Sequence, residues 1–187
     1  MSDQTYSASF GEGTRRPTPC HQTSRFVHCQ QRSIELNKPR VPPTSRGRED
    51  GPMGHHNDPA VIRRLLEDPG RWAIVGLSGN TRRTAYGVAR FVQQELGKEI
   101  IPVHPRTETV HGAVGYATLA EVPGQIDVVD IFVRSELAGA VVDQAIDVGA
   151  KAVWLQLGVV DEAAAARAAA AGLDVVMDTC PVIEARQ

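Results

Sequence analysis

From residue 57 onward, short apolar runs alternate with longer stretches in which apolar and polar residues are mixed. Short runs that are almost wholly apolar predict strands covered on both faces, as in a parallel sheet. Apolar residues spaced three or four apart predict amphipathic helices. The predicted strands are 72–77, 98–105, 127–133, 151–157 and 173–177, and the predicted helices are 59–68, 86–96, a short piece at 119–122, 135–149 and 161–172.

Strands that alternate with helices through short loops predict right-handed βαβ crossovers. The sequence therefore predicts an α/β fold in three layers around a mostly parallel, doubly wound sheet of five strands. Helix boundaries are marked as well: Asn57 or Asp58 can cap the first helix, with Pro59 in its first turn. Ser135 is the predicted N-cap of the fourth helix, and Gly149 its stop.

The first 52 residues differ from the rest in charge and composition. They hold eight Lys and Arg against five Asp and Glu, and half of the twelve prolines. Without sustained apolar periodicity, such a segment cannot bury enough surface to offset its ordering entropy. We expect 1–52 to be a disordered, basic N-terminal extension and 53–187 to be one folded domain. The basic residues are neither clustered nor interleaved with aromatic residues, so we favour disorder over binding of nucleic acid.

The composition and the N-terminal sequence bear on the cellular location of the protein and on metal binding. No run of eighteen apolar residues predicts a membrane span, and the N-terminus has no apolar stretch of a secretory signal. The three cysteines have neither metal-ligand spacing nor a disulfide pattern, so we expect a cytoplasmic location. The adjacent His55 and His56 are more often solvated than metal-bound, and no metal site is expected.

Ligands of doubly wound sheets bind beyond the carboxyl ends of the strands, near the point where strand order reverses. After the first predicted strand, Gly76 and Gly79 let backbone N–H groups approach an anion, and a helix N-terminus lies behind them. Arg82 and Arg83 add fixed positive charge, and we expect one of them to contact a phosphate. The loop lacks both the G-x-G-x-x-G dinucleotide fingerprint and the phosphate-loop pattern with its G-K pair.

The end of the second predicted strand bears on the kind of nucleotide. NAD enzymes place an Asp or Glu there to accept hydrogen bonds from the ribose hydroxyls. This strand ends in His104, Pro105 and Arg106, and the next carboxylate is that of Glu108. A cation where a carboxylate is expected favours a ligand with a phosphate on its ribose, such as NADP or coenzyme A. A histidine that only shapes the strand end is the alternative for His104.

Five stretches, in order, resemble the bacterial CoA-binding domain family of small Rossmann-like proteins: AIVGLSGNTRRTAYGVARFV, IIPVHP, DVVDIFVRSE, GAKAVWLQLGV and VVMDTCPVIE. That family is similar in turn to the CoA-binding domain of the succinyl-CoA synthetase α-subunit. The resemblance runs from about Asp58 to Glu184 and implies a Rossmann-like fold with a site for coenzyme A or an acyl-CoA. The chain has "VHP" where the family more often has "VNP", and "RRTA" where it often has "RPS".

The resemblance also implies which residues contact the coenzyme. Those implied to hold its diphosphate are Gly76, Leu77, Ser78, Gly79, Asn80 and Arg83. Those implied to lie beside the adenosine and its 3′-phosphate are His104, Pro105 and Arg106. Those implied to border the adenine or the pantetheine are Val133, Arg134 and Ser135, and the family's usual "YGVA" is matched at Tyr86 and Gly87.

We recognise no catalytic residues. Succinyl-CoA synthetase uses a phosphorylatable histidine on a separate C-terminal domain, and none of the six histidines here stands in a comparable context. Cys180 has no His or Asp beside it in sequence to activate its thiol, so we favour a small packed residue over a nucleophile or a mixed disulfide with the CoA thiol.

The sequence thus predicts a module that binds CoA or acyl-CoA without catalytic machinery of its own. An NADP-binding enzyme or sensor is the first alternative. The second is an accessory subunit of an NDP-forming acyl-CoA synthetase whose catalytic domains lie on other chains. Whether the partner is such a synthetase or a second copy of this chain is left open.

Overall fold

The structure, a computed structural model, describes residues 54–187; the expectation of disorder for 1–52 lies outside these residues. The strands are β1 (Arg71–Val75), β2 (Glu99–Val103), β3 (Val128–Ile131), β4 (Ala152–Leu155) and β5 (Asp174–Val176). The helices are α1 (Pro59–Glu67), α2 (Thr84–Gln94), α3 (Ser135–Asp147), α4 (Glu162–Ala170) and α5 (Pro181–Glu184), with a short 3-10 helix at Leu119–Glu121. All the strand pairs are parallel, in the order β2-β1-β3-β4-β5. The predicted three-layer α/β fold is confirmed.

Alternate side chains of each strand enter two separate apolar clusters, one on each face of the sheet. On one face, Trp72 and Ile74 of β1 pack with α1, α2 and α5. On the other face, Ala73 of β1 packs with α3 and α4. The rings of Trp72 and Trp154 lie 5.7 Å apart, and the Trp154 indole N–H donates to the Thr179 carbonyl at 3.0 Å. Strands buried on both faces explain the continuous apolar runs of the sequence.

The helix starts follow local side-chain chemistry in two cases and depart from the prediction in a third. Asp58 caps α1 by accepting from the Ala60 amide, and Asp161 caps α4. Ser135 was expected to cap α3 but is its first helical residue, and that prediction is wrong. The Ser135 hydroxyl instead accepts from the Val160 amide at 3.0 Å, which fastens the β4–α4 loop to the start of α3.

The strands end one or two residues earlier than the sequence predicts, and one helix was not predicted. The first strand was expected to run to residue 77 but ends at Val75, because Gly76 adopts a left-handed φ of 97° and turns the chain out of the sheet. The C-terminal helix α5 was not predicted at all. It has only four residues, too few to show the period of a helix in sequence.

The location of the candidate site follows from which face of the sheet each connecting helix covers. The β1-to-β2 connection through α2 covers one face, whereas the connections from β3 onward, through α3 and α4, cover the other. The winding therefore reverses between the neighbouring strands β1 and β3. A crevice opens beyond the carboxyl ends of such a strand pair, and this is where doubly wound proteins bind ligands.

Gly76 offers a direct test of the turn at the head of this crevice. A Cβ atom on Gly76 would lie 3.1 Å from the Phe132 carbonyl oxygen, in a φ region that other residues rarely adopt. We expect Gly76→Ala to lower the free energy of unfolding by about 1–3 kcal/mol in urea titrations. Gly87→Ala is the matched control, because a Cβ there meets no atom within 4 Å. That helical change should leave stability unchanged or raise it by up to about 1 kcal/mol, and equal effects would contradict the assignment.

Candidate ligand-binding site

Two cavities flank the crevice, one on each side of the sheet edge. The α2-side cavity, of about 780 Å³, lies against α2 and α5. The α3-side cavity, of about 660 Å³, lies between the end of β2 and α3. The walls of both cavities include Gly76, Arg83, Phe132 and Val133. Each cavity is within the size range of small-molecule sites, and together they can accept an elongated ligand that passes over their common boundary.

The structure brings several of the predicted site residues together here. Gly76, Arg83 and Val133 stand on the boundary between the two cavities. The α3-side cavity also includes His104, Pro105 and Arg134 in its wall. These residues come from the ends of β1, β2 and β3 and from the start of α2, as expected for a site at the carboxyl edge.

Other predicted residues take different positions. Leu77 and Ser78 are buried beneath the first loop, and the Ser78 hydroxyl has no partner in the described part of the chain. Asn80 turns back on its own loop, where its side-chain oxygen accepts from the Arg82 amide at 3.1 Å. Ser135 lies in neither cavity wall and holds the β4–α4 loop instead.

Tyr86 and Gly87, at the start of α2, face away from the two cavities. The rings of Tyr86 and His111 pack with centroids 4.2 Å apart. The backbone carbonyl oxygen of Tyr86 lies 2.8 Å from His111 Nε2. Gly87 lies in a groove between α2 and α5 together with Arg90 and Arg186. Neither residue is therefore positioned in the walls of the cavities at the β1–β3 edge.

Glu108 occupies a position that the sequence did not suggest. Its carboxylate accepts from the Gly79 amide at 2.5 Å and pairs with Arg106 Nε at 3.1 Å. Thr107, with a left-handed φ of 49°, reverses the chain so that Glu108 folds back toward the first loop. A carboxylate therefore does stand near the end of β2, and it engages both a predicted phosphate-binding amide and a predicted phosphate-binding cation.

The surroundings of His104 lower its pKa and so disfavour its charged form. Burial lowers its pKa below the ordinary value, and the nearby positive charges of Arg106 and Arg83 lower it further, although Glu108 opposes them. Its Nδ1 atom lies 3.2 Å from the Arg106 amide and accepts a hydrogen bond from it. In contrast to Arg106, Arg83 has no ion-pair partner within residues 54–187. The fixed positive charge at the common boundary of the cavities is thus free to meet an anion.

Sequence reasoning missed several residues of the α2-side cavity. Phe132, in the third predicted strand, is partly buried against the core and borders both cavities. Cys180 is buried and lies in the wall of the α2-side cavity, as does Gln156 at the end of β4. The available signal was the presence of polar residues within apolar strand runs, namely Asp130 in "DVVDIFV" and Gln156 in "KAVWLQL".

Asp130 and Gln156 form a buried polar pair under this cavity. Asp130 is fully buried in β3, opposite Ile74 and Trp154 in the strand register. Its Oδ1 atom accepts from Gln156 Nε2 at 2.7 Å, and its Oδ2 atom has no partner among the described residues. Burial raises the pKa of Asp130 to about 7, against the lowering effect of the Gln156 and Ile131 hydrogen bonds.

The raised pKa predicts how stability depends on pH. The folded protein retains the Asp130 proton up to about pH 7, whereas the unfolded chain releases it near 3.8, so this group makes folding less favourable as pH rises between these values. Asp130→Asn removes the effect. We expect the stability of the variant, relative to the parent, to increase by about 3–4 kcal/mol from pH 4 to pH 7 in urea titrations and then to level off.

The exposed carboxylate of Asp143, which pairs with Arg167, provides the control for this measurement. Asp143→Asn should change relative stability by less than about 1 kcal/mol over the same range. A flat difference between Asp130→Asn and the parent would show that the buried carboxyl keeps its ordinary pKa.

Comparisons with known proteins agree with the fold. The family described as "CoA binding domain" matches residues 70–186, and the chain belongs to this family. The uncharacterized protein YneT of Bacillus subtilis is 36% identical over 121 residues, which cover 65% of this chain and 89% of YneT. A solved structure of a hypothetical protein from Pyrococcus horikoshii superposes with a TM-score of 0.65 at 35% identity, covering 69% of this chain and 90% of that one.

A more distant similarity reaches an enzyme subunit. The α-subunit of an ADP-forming acetate–CoA ligase from Pyrococcus furiosus is 27% identical over 81 residues. The match covers 43% of this chain but only 18% of that subunit. Within residues 54–187, no helix has the length and apolar character needed to cross a membrane. The same residues contain no group of three or more His, Cys, Asp or Glu side chains placed to hold a metal ion.

Proposed function

We propose that the described domain binds coenzyme A or an acyl-CoA across the crevice between β1 and β3, without catalytic machinery of its own. The main support is the position of Arg83 on the common boundary of the two cavities. Its guanidinium has no ion-pair partner within residues 54–187. A ligand with apolar ends and a charged centre suits such a site. Coenzyme A has this form, with its diphosphate between adenosine and pantetheine.

The diphosphate is proposed to lie at the common boundary. Gly76 has no side chain to obstruct the approach of an anion, and the N-terminus of α2 points its free amides toward the same region. Arg83 is the N-cap residue of α2, and its side chain makes no capping hydrogen bond. The helix amides and the guanidinium can therefore act on one anion together.

The adenosine half is proposed to occupy the α3-side cavity, where Pro105 and Leu119 offer apolar surface beside His104. Arg106, 60% exposed in its side chain and tied to Glu108 by one nitrogen, has further N–H groups free for the 3′-phosphate.

The pantetheine arm is proposed to enter the α2-side cavity, which is walled by Phe132, Val88 and Leu157. Cys180 stands in the same wall, and an acyl group on the arm would lie near it. We favour CoA over NADP because the chain belongs to the CoA-binding family and lacks the dinucleotide fingerprint. NADP would have to place a polar nicotinamide ribose in this largely apolar cavity.

A role as an accessory subunit of an acyl-CoA synthetase is the second candidate. It is supported by the similarity to the α-subunit of the acetate–CoA ligase, an enzyme that acts with CoA. Three exposed apolar side chains, Leu157 and Val160 in the β4–α4 loop and Ile183 in α5, lie near the α2-side cavity and could contact a partner. Co-purification of an ATP-grasp chain with tagged protein would support this role, and recovery of the chain alone or as a homodimer would contradict it.

Arg83→Ala tests the diphosphate position. Loss of a charged hydrogen-bond donor should weaken CoA binding by about 1.5–3 kcal/mol, measured by isothermal titration calorimetry. Arg90→Ala serves as the control, because Arg90 lies on the same helix but borders neither of the two cavities. Equal affinities of the parent and Arg83→Ala would remove Arg83 from the site.

Arg106→Ala tests the position of the 3′-phosphate. We expect a two- to fivefold loss of affinity for CoA and no loss for dephospho-CoA, which lacks that phosphate. The effect is small because the Arg106 side chain is largely exposed. The same loss for both ligands would place the 3′-phosphate elsewhere. Comparable affinities of the parent for CoA, NADPH and ADP would contradict the proposed function itself.

A further inference from the structure

The buried pair formed by Asp130 and Gln156 has no evident role in stabilising the fold. A carboxyl group in the central strand of a sheet is costly to bury. Of the two Asp130 oxygens, Oδ1 accepts a hydrogen bond, and Oδ2 has no partner among the described residues. An apolar residue would fit the surrounding cluster of Ile74, Val128 and Trp154 without that cost. Buried polar groups retained at such a cost are concentrated at functional sites.

The pair fixes which end of the Gln156 amide faces the ligand. Above its pKa of about 7, Asp130 is an ionised carboxylate that accepts hydrogen bonds but donates none, so it holds the amide nitrogen of Gln156 and excludes the reverse orientation. Gln156 stands in the wall of the α2-side cavity and is only 4% exposed. Its Oε1 atom receives no hydrogen bond from any group within residues 54–187, and it is not fully buried, so solvent or a ligand in the cavity can reach it. This oxygen presents a single acceptor to whatever occupies the cavity.

We propose that Asp130 is a positioning residue that turns Gln156 Oε1 toward the α2-side cavity, so that the site selects a ligand arm with a hydrogen-bond donor. This inference rests on the proposed function. It adds that the pantetheine arm is held by a donor of its own, either an amide N–H or the terminal S–H. Gln156 is the residue that touches the ligand, and Asp130 acts through it. Both strand ends are rigid parts of the sheet, which suits a group that must discriminate by orientation.

The donor requirement gives the site a chemical preference. A ligand arm without a donor would cover Gln156 Oε1, exclude the solvent that reaches it and leave it unpaired, and such a group costs more than a missing contact. An arm with a donor makes a hydrogen bond to this oxygen without any rearrangement of Gln156, because Asp130 has already oriented the amide. The preference therefore applies to the arm alone and leaves recognition of the adenosine half unchanged.

The test compares CoA, acetyl-CoA and adenosine 3′,5′-bisphosphate, which lacks the arm, by isothermal titration calorimetry at pH 8. We expect Gln156→Met, similar in length but without the amide oxygen, to weaken CoA binding about fivefold to tenfold. The affinity for the bisphosphate should not change. An equal loss for CoA and acetyl-CoA assigns the donor to an amide N–H, and a loss for CoA alone assigns it to the S–H. Gln94→Met, an exposed change on α2, is the matched control.

Asp130→Asn separates positioning from direct contact. An asparagine can donate to Gln156 Oε1, which releases the amide nitrogen of Gln156 toward the cavity in place of the oxygen. We expect CoA affinity to fall about fivefold while the affinity for the bisphosphate is retained, a split that general loosening of the fold would not produce. Thermal unfolding shows whether Gln156→Met and Asp130→Asn are folded. If one of them is not, the other provides the test.

The outcomes distinguish this inference from the proposed function. If the parent protein binds CoA and the folded variants keep the parent ratio of CoA to bisphosphate affinity, the inference is overturned and the proposed function stands. If both ligands weaken equally, the pair is structural and the inference is again overturned. If the parent does not bind CoA, the proposed function fails, and the inference fails with it.

Discussion

The reversal of winding between β1 and β3 is the constraint on which the rest of the structure depends. Because α2 covers one face of the sheet and α3 the other, no helix closes the space above the carboxyl ends of these neighbouring strands. The turn at Gly76 lets the chain leave β1 beside that space, and the next helix starts with its amides directed there. The position of Arg83 follows from this geometry.

Two carboxylates near the crevice shape its electrostatics in different ways. Glu108 meets Gly79 and Arg106 and so reduces the positive charge on the β2 side. Asp130, buried on the other side, meets only neutral donors and retains its proton more strongly than an exposed carboxyl does. Within residues 54–187, Arg83 on the shared boundary has no ion-pair partner, nor have Arg82 in the α2-side wall and Arg134 in the α3-side wall. This distribution is consistent with a ligand whose charge lies near its middle.

The sequence predicted the five strands and four of the five helices, because each carries its own apolar period and local caps. It did not predict α5, whose four residues are too few to show a period. Strand ends were set too far along, since the left-handed turn at Gly76 depends on close packing against Phe132. The family resemblance identified the loop with Arg83 and the end of β2, which the structure brings to one edge.

What the sequence could not supply were contacts between residues far apart in the chain. Glu108 meets Gly79 from 29 residues away, and Gln156 meets Asp130 from 26 residues away. Neither partner could be paired by spacing. The α2-side cavity is built largely from such long-range neighbours, and for that reason its polar pair emerged only from the folded arrangement.

The most direct measurement is an amide chemical-shift titration of the isotope-labelled protein with CoA. We expect the largest changes at residues 76–85, 104–106, 132–134 and 156–158, at the ends of the strands around the crevice between β1 and β3. Changes concentrated at the opposite, amino-terminal edge of the sheet, around Asp127 and Lys151, would contradict it, as would the absence of any saturable change.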